Sequence, residues 1–297
     1  MICVDKVTKK YKDKYALKGV SFSVGENQVL GIVGPNGAGK TTLIRIISNI
    51  INMTDGKIIM PEETTVGVVF DYNGLYPQMT ARENLLFYYC NGKNGNNKEI
   101  IDDILRRLNL YEKKDIRVKT FSKGMLRKLS IARAIVSDPN ILILDEPFDG
   151  LDIESRAFII NFLSRWVKKR RKAIILSSHN MSDLEKICTN LIIIKEGQIK
   201  ADILAEKVKK DEINNMKIVF AEIPQKRNVD KIMKEAKFYD YSYSENILTF
   251  NGNLKRGNLL IAELLRQDFV IREFSQKSAT LEELYLSEVG AGEKSDL

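Results

Sequence analysis

The sequence is poor in cysteine and histidine, and these scarcities limit what the protein can be. Its 297 residues contain three cysteines and one histidine. Cys3, Cys90 and Cys188 lie far apart in the chain and form no CxxC pair. An odd number of separated cysteines argues against a disulfide framework or a zinc site and is typical of reduced thiols in a cytosol.

Long apolar runs are also absent. No run of about 18 or more apolar residues occurs, so no segment is predicted to span a bilayer. Residues 1–6 lack a basic segment followed by an apolar one, and no secretion signal is expected. These patterns favour a protein of the cytoplasm.

The composition is that of a folded globular protein, with 44% hydrophobic and 29% charged residues and a net charge of +8. This charge permits a nucleic acid, an anionic membrane surface or no charged partner at all. The densest basic run, residues 168–172, follows an amphipathic stretch, and we interpret it as a solvated helix C-terminus. Charge alone does not choose the partner.

Apolar runs that alternate with helical segments indicate the fold class. They occur at Val29–Val33, residues 66–70, Ile141–Leu144, residues 173–176 and residues 191–194. This alternation predicts an α/β protein with a mostly parallel sheet flanked by helices. The pattern changes near residues 205–218, so we predict a large domain at 1–215 and a small α/β domain at 216–297.

A glycine-rich stretch lies between the run Val29–Val33 and a helical pattern. Its residues are Gly34, Pro35, Asn36, Gly37, Ala38, Gly39, Lys40 and Thr41, followed by Thr42. The spacing matches the P-loop, whose glycines let backbone N–H groups surround phosphate oxygens at a helix N-terminus. Lys40 would contact the β- and γ-phosphates, and the Thr41 hydroxyl would bind Mg²⁺. A purely structural glycine turn is the alternative.

Two carboxylates, Asp145 and Glu146, directly follow the apolar run Ile141–Leu144. This pattern is typical of a strand buried on both faces, whose C-terminal end lies where ligands of parallel sheets bind. We predict that Asp145 helps to hold Mg²⁺ and that Glu146 orients or deprotonates the attacking water. A buried strand that ends in a solvated acidic turn is the alternative.

The single histidine, His179, follows the apolar run 173–176 and two serines. It is therefore expected at the same sheet edge as the carboxylates, where it could donate a hydrogen bond to a γ-phosphate. A lone histidine is more often structural than catalytic, but this position favours catalysis.

With these motifs in this order, residues 1–215 resemble the ATP-binding subunits of ABC transporters. Ser122, Lys123, Gly124 and Met125 stand where the family signature belongs. The resemblance implies that Ser122 and Gly124 contact the γ-phosphate of ATP bound by a second subunit. A helix is expected to follow from near Leu126.

The same resemblance assigns further residues. It implies that Tyr11 stacks on adenine, that His179 is the switch histidine, and that Asp152 is the acid of a loop at 148–152 that communicates between the two sites. It also implies a P-loop NTPase fold of the ABC type, with an antiparallel β subdomain and a helical subdomain beside the parallel core sheet.

Three positions depart from the family pattern. Asp71 stands where glutamine is usual, and we predict that its carboxylate still reaches Mg²⁺. Lys123 and Met125 replace two residues of the usual Ser-Gly-Gly-Gln signature. Because Ser122 and Gly124 are retained, we expect ATP hydrolysis to survive.

The implied function is ATP-driven export. Two copies would enclose two ATP molecules and drive a separate membrane permease, docked near residues 71–77 and a helix at Ala81–Tyr89, from the inner face of the membrane. The stretch 278–286 resembles the closing helix of ATPase subunits of two-component exporters. An amphipathic helix that stabilises a dimer is the alternative reading of that stretch.

Three other functions are compatible with parts of the sequence. An ABC ATPase that acts on nucleic acid or ribosomes is disfavoured, because Lys40 and Ser122 are too close for a long coiled-coil insertion and only one P-loop is present. A regulatory subunit with an inactive site is disfavoured because Asp145, Glu146 and His179 are all retained. ABC transport other than export is the remaining alternative. No nucleic-acid partner is expected.

Overall fold

The computed structural model describes residues 2–70, 74–89, 97–169, 171–204, 214–252 and 254–278. The chain divides into two compact units, Met1–Ala205 and Glu206–Leu297. Asp71, most of the loop after Tyr89 and most of the stretch 278–286 lie outside the described residues. The domain boundary between residues 215 and 216 stays a prediction.

Described helices and strands account for most of both units. The first unit contains β1 (Ile2–Tyr11), β2 (Lys14–Val24), β3 (Val29–Val33), α1 (Lys40–Ile47), β4 (Asp55–Ile59), β5 (Val66–Val69), α2 (Ala81–Tyr89), α3 (Asn97–Arg107), α4 (Lys123–Ile135), β6 (Ile141–Leu144), α5 (Ile153–Trp166), β7 (Ala173–Ser178), α6 (Met181–Ile187), β8 (Asn190–Lys195) and β9 (Gln198–Leu204). The second contains β10 (Asn214–Phe220), α7 (Lys226–Glu235), β11 (Tyr241–Ser244), β12 (Ile247–Gly252), α8 (Leu254–Arg266) and β13 (Ile271–Ser278). None of the helices in the described part of the chain is both long and apolar enough to cross a membrane.

The core sheet of the first unit has the strand order β5-β6-β7-β3-β8-β9. The first five strands in this order, β5, β6, β7, β3 and β8, pair in parallel. Strand β9 lies antiparallel to β8 at the edge. All residues of β3 and β6 are buried, as continuous apolar runs in parallel sheets predict. The predicted mostly parallel sheet is confirmed, and it brings the C-terminal ends of β3, β6 and β7 to one edge.

A separate antiparallel sheet has the order β2-β1-β4. Its inward residues, including Val4, Val7 and Leu17, join the core cluster that also contains residues of α1. A Cβ atom on Gly39 would lie only 2.6 Å from the carbonyl oxygen of Ala16 in β2. The predicted antiparallel subdomain is therefore confirmed, and it packs directly against the glycine-rich turn.

Helices α2, α3 and α4 form the helical subdomain between β5 and β6. Arg82 of α2 pairs with Asp102 of α3 at 2.9 Å. Asn84, which is fully buried, accepts a hydrogen bond from the N–H of Tyr76 at 2.8 Å and donates one to its carbonyl at 3.1 Å. These contacts fix the segment before α2 on the subdomain surface.

Helix α4 begins earlier than the sequence predicted. The expected start was near Leu126, but the first helical residue is Lys123. The Ser122 side chain accepts a hydrogen bond from the Met125 N–H at 3.3 Å, so Ser122 acts as the N-cap. The signature residues therefore form the first turn of the helix rather than a loop before it.

The basic run 168–172 is not wholly a solvated helix end. Helix α5 ends at Trp166, and Lys172 lies beyond it with 5% of its surface exposed. Its ammonium contacts Asp138 Oδ1 at 2.8 Å and donates to the Pro139 carbonyl at 2.7 Å. Because β7 begins at the next residue, Lys172 is held at the end of the core sheet.

The second unit is an antiparallel sheet with two helices. The element order is β-α-β-β-α-β, and the strand order is β11-β12-β10-β13. This is the ferredoxin-like arrangement. Met216, Ile218 and Phe220 of β10 pack in one core with Val229 of α7 and Leu260 of α8. The small α/β fold predicted here is confirmed, but such a fold by itself assigns no function.

Candidate active site

The turn between β3 and α1 can take its shape only with glycine at particular positions. Gly37 and Gly39 have φ angles of +79° and +110°, which side chains strongly disfavour. A Cβ atom on Gly34 would collide with the Ile194 carbonyl. Helix α1 has no side-chain cap, so its first N–H groups remain available to an anion.

Lys40 lies inside this turn. Its Nζ donates hydrogen bonds to the carbonyl oxygens of Gly34 at 2.6 Å and Pro35 at 3.3 Å, and 7% of the residue is exposed. Burial lowers the pKa of the Lys40 ammonium, while the charges of Glu146 and Asp145 act in the opposite direction. The structure thus brings the predicted phosphate-binding lysine into the electrostatic field of Glu146, the predicted catalytic carboxylate, and of Asp145, the predicted metal ligand.

A serine that sequence reasoning missed contacts both Asp145 and Glu146. Ser177 Oγ donates to Asp145 Oδ1 at 2.6 Å and accepts from the Glu146 N–H at 3.0 Å. Asp145 is 4% exposed, and its own N–H donates to the Val69 carbonyl at 2.8 Å. The available signal was the position of Ser177 at the end of a strand that neighbours β6.

Glu146 and His179 meet across the ends of β6 and β7. His179 Nδ1 lies 2.9 Å from Glu146 Oε2, and the His179 N–H donates to the same oxygen at 3.3 Å. The histidine side chain is 58% exposed. Glu146 has a φ of +47°, a strained conformation that is often found at functional sites. The two residues predicted to share a sheet edge are in contact.

The signature residues lie at the N-terminus of α4. Ser122 is exposed, whereas Gly124 is buried so tightly that a Cβ atom would come within 2.6 Å of Ser155 Oγ. The Lys123 side chain lies against Gly150 in the loop before α5. Between residues that the structure describes, no hydrogen bond joins Ser122 or Gly124 to the turn that contains Lys40.

The remaining predicted site residues are less closely defined. Tyr11 is 49% exposed at the end of β1, with Lys9 Nζ 4.9 Å from its ring centroid. Thr41 and Thr42 occupy the first turn of α1 and are at least partly exposed. Asp71 lies outside the described residues, and its metal role stays a prediction.

Two arginines of α4 were also missed by sequence reasoning. Arg133 donates to the Val68 carbonyl at 2.9 Å and to the Gly74 carbonyl at 3.2 Å. Arg127, 2% exposed, donates to the Phe70 carbonyl at 3.4 Å. The helix that begins with the signature is therefore bound to the segment that follows β5.

A phosphate-binding turn between a buried parallel strand and a helix, with an acidic pair on the same sheet edge, defines a P-loop nucleoside triphosphatase. Comparison with known proteins identifies its type. A family model described as ABC transporter matches residues 17–149. The ABC transporter ATP-binding protein NatA of Bacillus subtilis is 36% identical over 216 residues, which cover 67% of this chain and 87% of NatA.

Two further similarities agree. The Nod factor export ATP-binding protein I of Paraburkholderia xenovorans is 38% identical over 206 residues, covering 65% of this chain and 67% of that protein. The ATP-binding cassette MJ0796, solved as a dimer in a post-hydrolysis state with ADP and Pi, matches with a TM-score of 0.62 and 25% identity. That match covers 69% of this chain and 99% of the cassette.

The chain belongs to the ATP-binding proteins of the ABC transporter family. It is an ATP-binding and ATP-hydrolysing subunit of a transporter. ATPase cassettes of this family dimerise and act with membrane permeases. The individual roles of the site residues stay predictions.

Proposed function

We propose that two copies of this chain enclose two ATP molecules and, by closing and reopening, power export through a separate membrane permease. The observation that carries the proposal is the position of the signature. Ser122 and Gly124 begin one helix, and the residues that surround Lys40 begin another, with no hydrogen bond between them in the described part of the chain. A second copy would supply the signature that completes each site.

Hydrolysis in this proposal depends on three residues at the sheet edge. Lys40 neutralises the β- and γ-phosphates, and Glu146 orients or deprotonates the attacking water. His179, held by Glu146 Oε2 at 2.9 Å, donates its other ring N–H towards the γ-phosphate. The backbone N–H groups of the glycine-rich turn hold the phosphates, and Tyr11 stacks on the adenine.

The donor set suits Mg²⁺. Asp145 is a carboxylate fixed by Ser177, and Thr41 offers a hydroxyl in the first turn of α1. Within the described residues no group of three or more His, Cys, Asp or Glu side chains could hold a metal. Mg²⁺ is commonly bound by one or two protein oxygens together with substrate phosphates. Asp145 and Thr41 provide the protein oxygens. Bound there, with Asp71 as a further ligand, Mg²⁺ would offset negative charge on the phosphates.

The permease docking surface in this proposal is a cluster of aromatic residues beside α2. The rings of Tyr76 and Phe87 have centroids 4.9 Å apart, and those of Phe87 and Tyr88 are 5.2 Å apart. Tyr76 is 42% exposed and Phe87 is 45% exposed. Exposed aromatics held on a rigid support are typical anchors for a protein partner. A cytoplasmic segment of the permease is the occupant we propose.

A defined route connects that surface with the signature. Tyr88 Oη and Arg133 both donate hydrogen bonds to the Gly74 carbonyl, at 2.8 and 3.2 Å. The Arg133 guanidinium also lies 5.2 Å from the centroid of the Tyr88 ring. Because Arg133 belongs to α4, a displacement of the aromatic cluster would be transmitted to the helix that carries Ser122.

The direction of transport rests on similarity. The export protein from Paraburkholderia xenovorans supports export for this chain as well. We propose that the subunit works at the inner face of the membrane, bound there by its permease and not by nucleic acid or lipid.

A pull-down from membranes tests the proposal. Tagged Glu146→Gln protein is incubated with detergent-solubilised membranes, ATP and Mg²⁺, and the captured proteins are identified by mass spectrometry. We expect a multi-span membrane protein, and we expect the double variant Tyr76→Ala/Phe87→Ala to lose it. Tyr239→Ala, in which an aromatic residue 80% exposed on the second unit is removed, serves as the matched control.

The outcomes separate the alternatives. Capture of ribosomes or nucleic acid without a membrane protein would overturn the transporter proposal. Capture of a permease that survives the loss of both Tyr76 and Phe87 would overturn only the docking surface.

A further inference from the structure

Arg156 and Asp183 form an ion pair between α5 and α6, the helices that follow Glu146 and His179 in the chain. Arg156 Nη1 lies 3.4 Å from Asp183 Oδ2. Asp183 is 1% exposed, and it lies in the first turn of α6. Arg156 lies in the first turn of α5, and its side chain is 30% exposed. The pair thus joins α5 and α6 at their N-terminal ends.

The pair is placed to control the spacing of the catalytic residues. The loop before α5 begins just after Glu146, and α6 begins just after His179 and its capping residue. Arg156 Nη2 also donates to the Leu151 carbonyl in the first of these loops at 3.3 Å. The guanidinium therefore contacts both segments that leave the sheet beside Glu146 and His179.

The pair is only partly formed. Arg156 Nε and Asp183 Oδ1 are both buried, and neither has a hydrogen-bond partner among the residues that the structure describes. Buried polar atoms without partners are costly, and an arginine and a carboxylate usually satisfy each other through two parallel hydrogen bonds. The single contact between Arg156 Nη1 and Asp183 Oδ2 therefore leaves this buried pair incompletely satisfied.

We propose that Arg156 and Asp183 are positioning residues for ATP hydrolysis, which set the distance between Glu146 and His179. The inference depends on the catalytic roles proposed above for Glu146 and His179. In the described part of the chain, no hydrogen bond or ion pair joins either member of the pair to the glycine-rich turn. Loss of the pair therefore slows the chemical step and leaves ATP binding intact.

The test compares kcat, KM for ATP and thermal unfolding of Arg156→Gln, Asp183→Asn and the double variant. Each single variant leaves one charged side chain unpaired and is expected to lower both kcat and the melting temperature. The double variant removes both charges, so its melting temperature should recover towards that of the wild type. Its kcat should stay about tenfold low or more, with KM almost unchanged, because positioning has been lost.

The matched control is a second Arg–Asp pair away from the site. Arg82 and Asp102 lie 2.9 Å apart between α2 and α3, and each is also largely buried. Neutralising this pair with Arg82→Gln/Asp102→Asn should change stability without changing kcat. A similar loss of kcat in the control would identify the effect as general destabilisation and overturn the inference.

Two further results are decisive. Recovery of kcat together with stability in the Arg156→Gln/Asp183→Asn variant would show that the pair is purely structural. Glu146→Gln, measured in parallel, separates this outcome from failure of the proposed site. If Glu146→Gln kept wild-type turnover, the assignment of the site and the inference that depends on it would both fall.

Discussion

His179 Nδ1 lies 2.9 Å from Glu146 Oε2, although the two residues follow different strands of the sheet, β7 and β6. The contact orients the imidazole, because the glutamate fixes Nδ1. The His179 side chain is otherwise largely exposed to solvent. The contact also brings together the carboxylate proposed to activate water and the imidazole proposed to donate a hydrogen bond to the γ-phosphate. We therefore expect the two residues to depend on each other in catalysis.

His179→Ala should therefore lower kcat by about a hundredfold or more, since the loss of one hydrogen-bond donor to developing charge costs roughly 10²–10³ in kcat. ATP affinity should change little, because the glycine-rich turn and Lys40 still hold the phosphates. Steady-state ATPase assays and nucleotide titration measure the two effects separately. Ser182→Ala, an exposed change in α6, is the control. Turnover retained in His179→Ala would remove the histidine from the mechanism.

Tyr11→Ala should raise the KM for ATP by about fivefold to a hundredfold, as expected for loss of a base-stacking contact of about 1–3 kcal/mol. The kcat at saturating ATP should stay near that of the wild type. Tyr15→Ala is a matched control, because Tyr15 has 46% of its surface exposed against 49% for Tyr11. Equal effects of the two substitutions would contradict the adenine-stacking role.

Ser177→Ala should lower kcat by about tenfold, because it removes the donor to Asp145 Oδ1 and the acceptor of the Glu146 N–H. Each buried group left without a partner also costs about 1–3 kcal/mol of folding free energy. ATPase assays across a range of Mg²⁺ concentrations check the effect. Ser130→Ala, which removes a buried hydroxyl that bonds within α4, should leave turnover unchanged. A wild-type rate in Ser177→Ala would contradict the bridging role.

The lowered pKa of Asp152 predicts that the stability of the protein depends on pH. The Ser155 N–H donates to its Oδ1 at 2.8 Å, and this hydrogen bond is the main cause that holds the pKa of Asp152 below its ordinary value of 3.8. Because the folded pKa is lowered, the stabilisation is fully present above the ordinary value and is lost as the pH falls through the folded value.

Asp152→Asn keeps a capping oxygen at the start of α5 but removes the titration. The urea midpoint of the wild type should fall relative to that of the variant as the pH is lowered below about 3.8, the ordinary value. Equilibrium unfolding at several pH values measures the difference. Midpoints that fall in parallel would show that the carboxylate does not contribute in this way.

The parts of the fold that the sequence predicted well are those with local signals. The ends of β3 and β6 match the predicted runs Val29–Val33 and Ile141–Leu144, because strands buried on both faces are continuously apolar. The phosphate-binding turn was also predictable, since its glycines must stand at fixed distances from Lys40 along the chain. These features depend on neighbouring residues alone.

The parts that were missed depend on distant contacts. The start of α4 was placed too late because the capping bond of Ser122 was not recognised. Ser177 contacts Glu146 and Asp145, 31 and 32 positions away, and Lys172 pairs with a carboxylate 34 positions away. The Arg156–Asp183 pair likewise depends on how α5 and α6 pack. No local pattern carries such information, so only the folded structure reveals it.

In the proposed cycle, ATP closes two copies of this chain, and hydrolysis that depends on Glu146 reopens them. The molar mass of Glu146→Gln can be measured by size-exclusion chromatography with light scattering, in Mg²⁺ with either ATP or ADP. We expect a dimer with ATP and a monomer with ADP, whereas wild type should return to a monomer as it hydrolyses ATP. A Glu146→Gln variant that stays monomeric with bound ATP, or that hydrolyses ATP at the wild-type rate, would show that the proposed cycle is wrong.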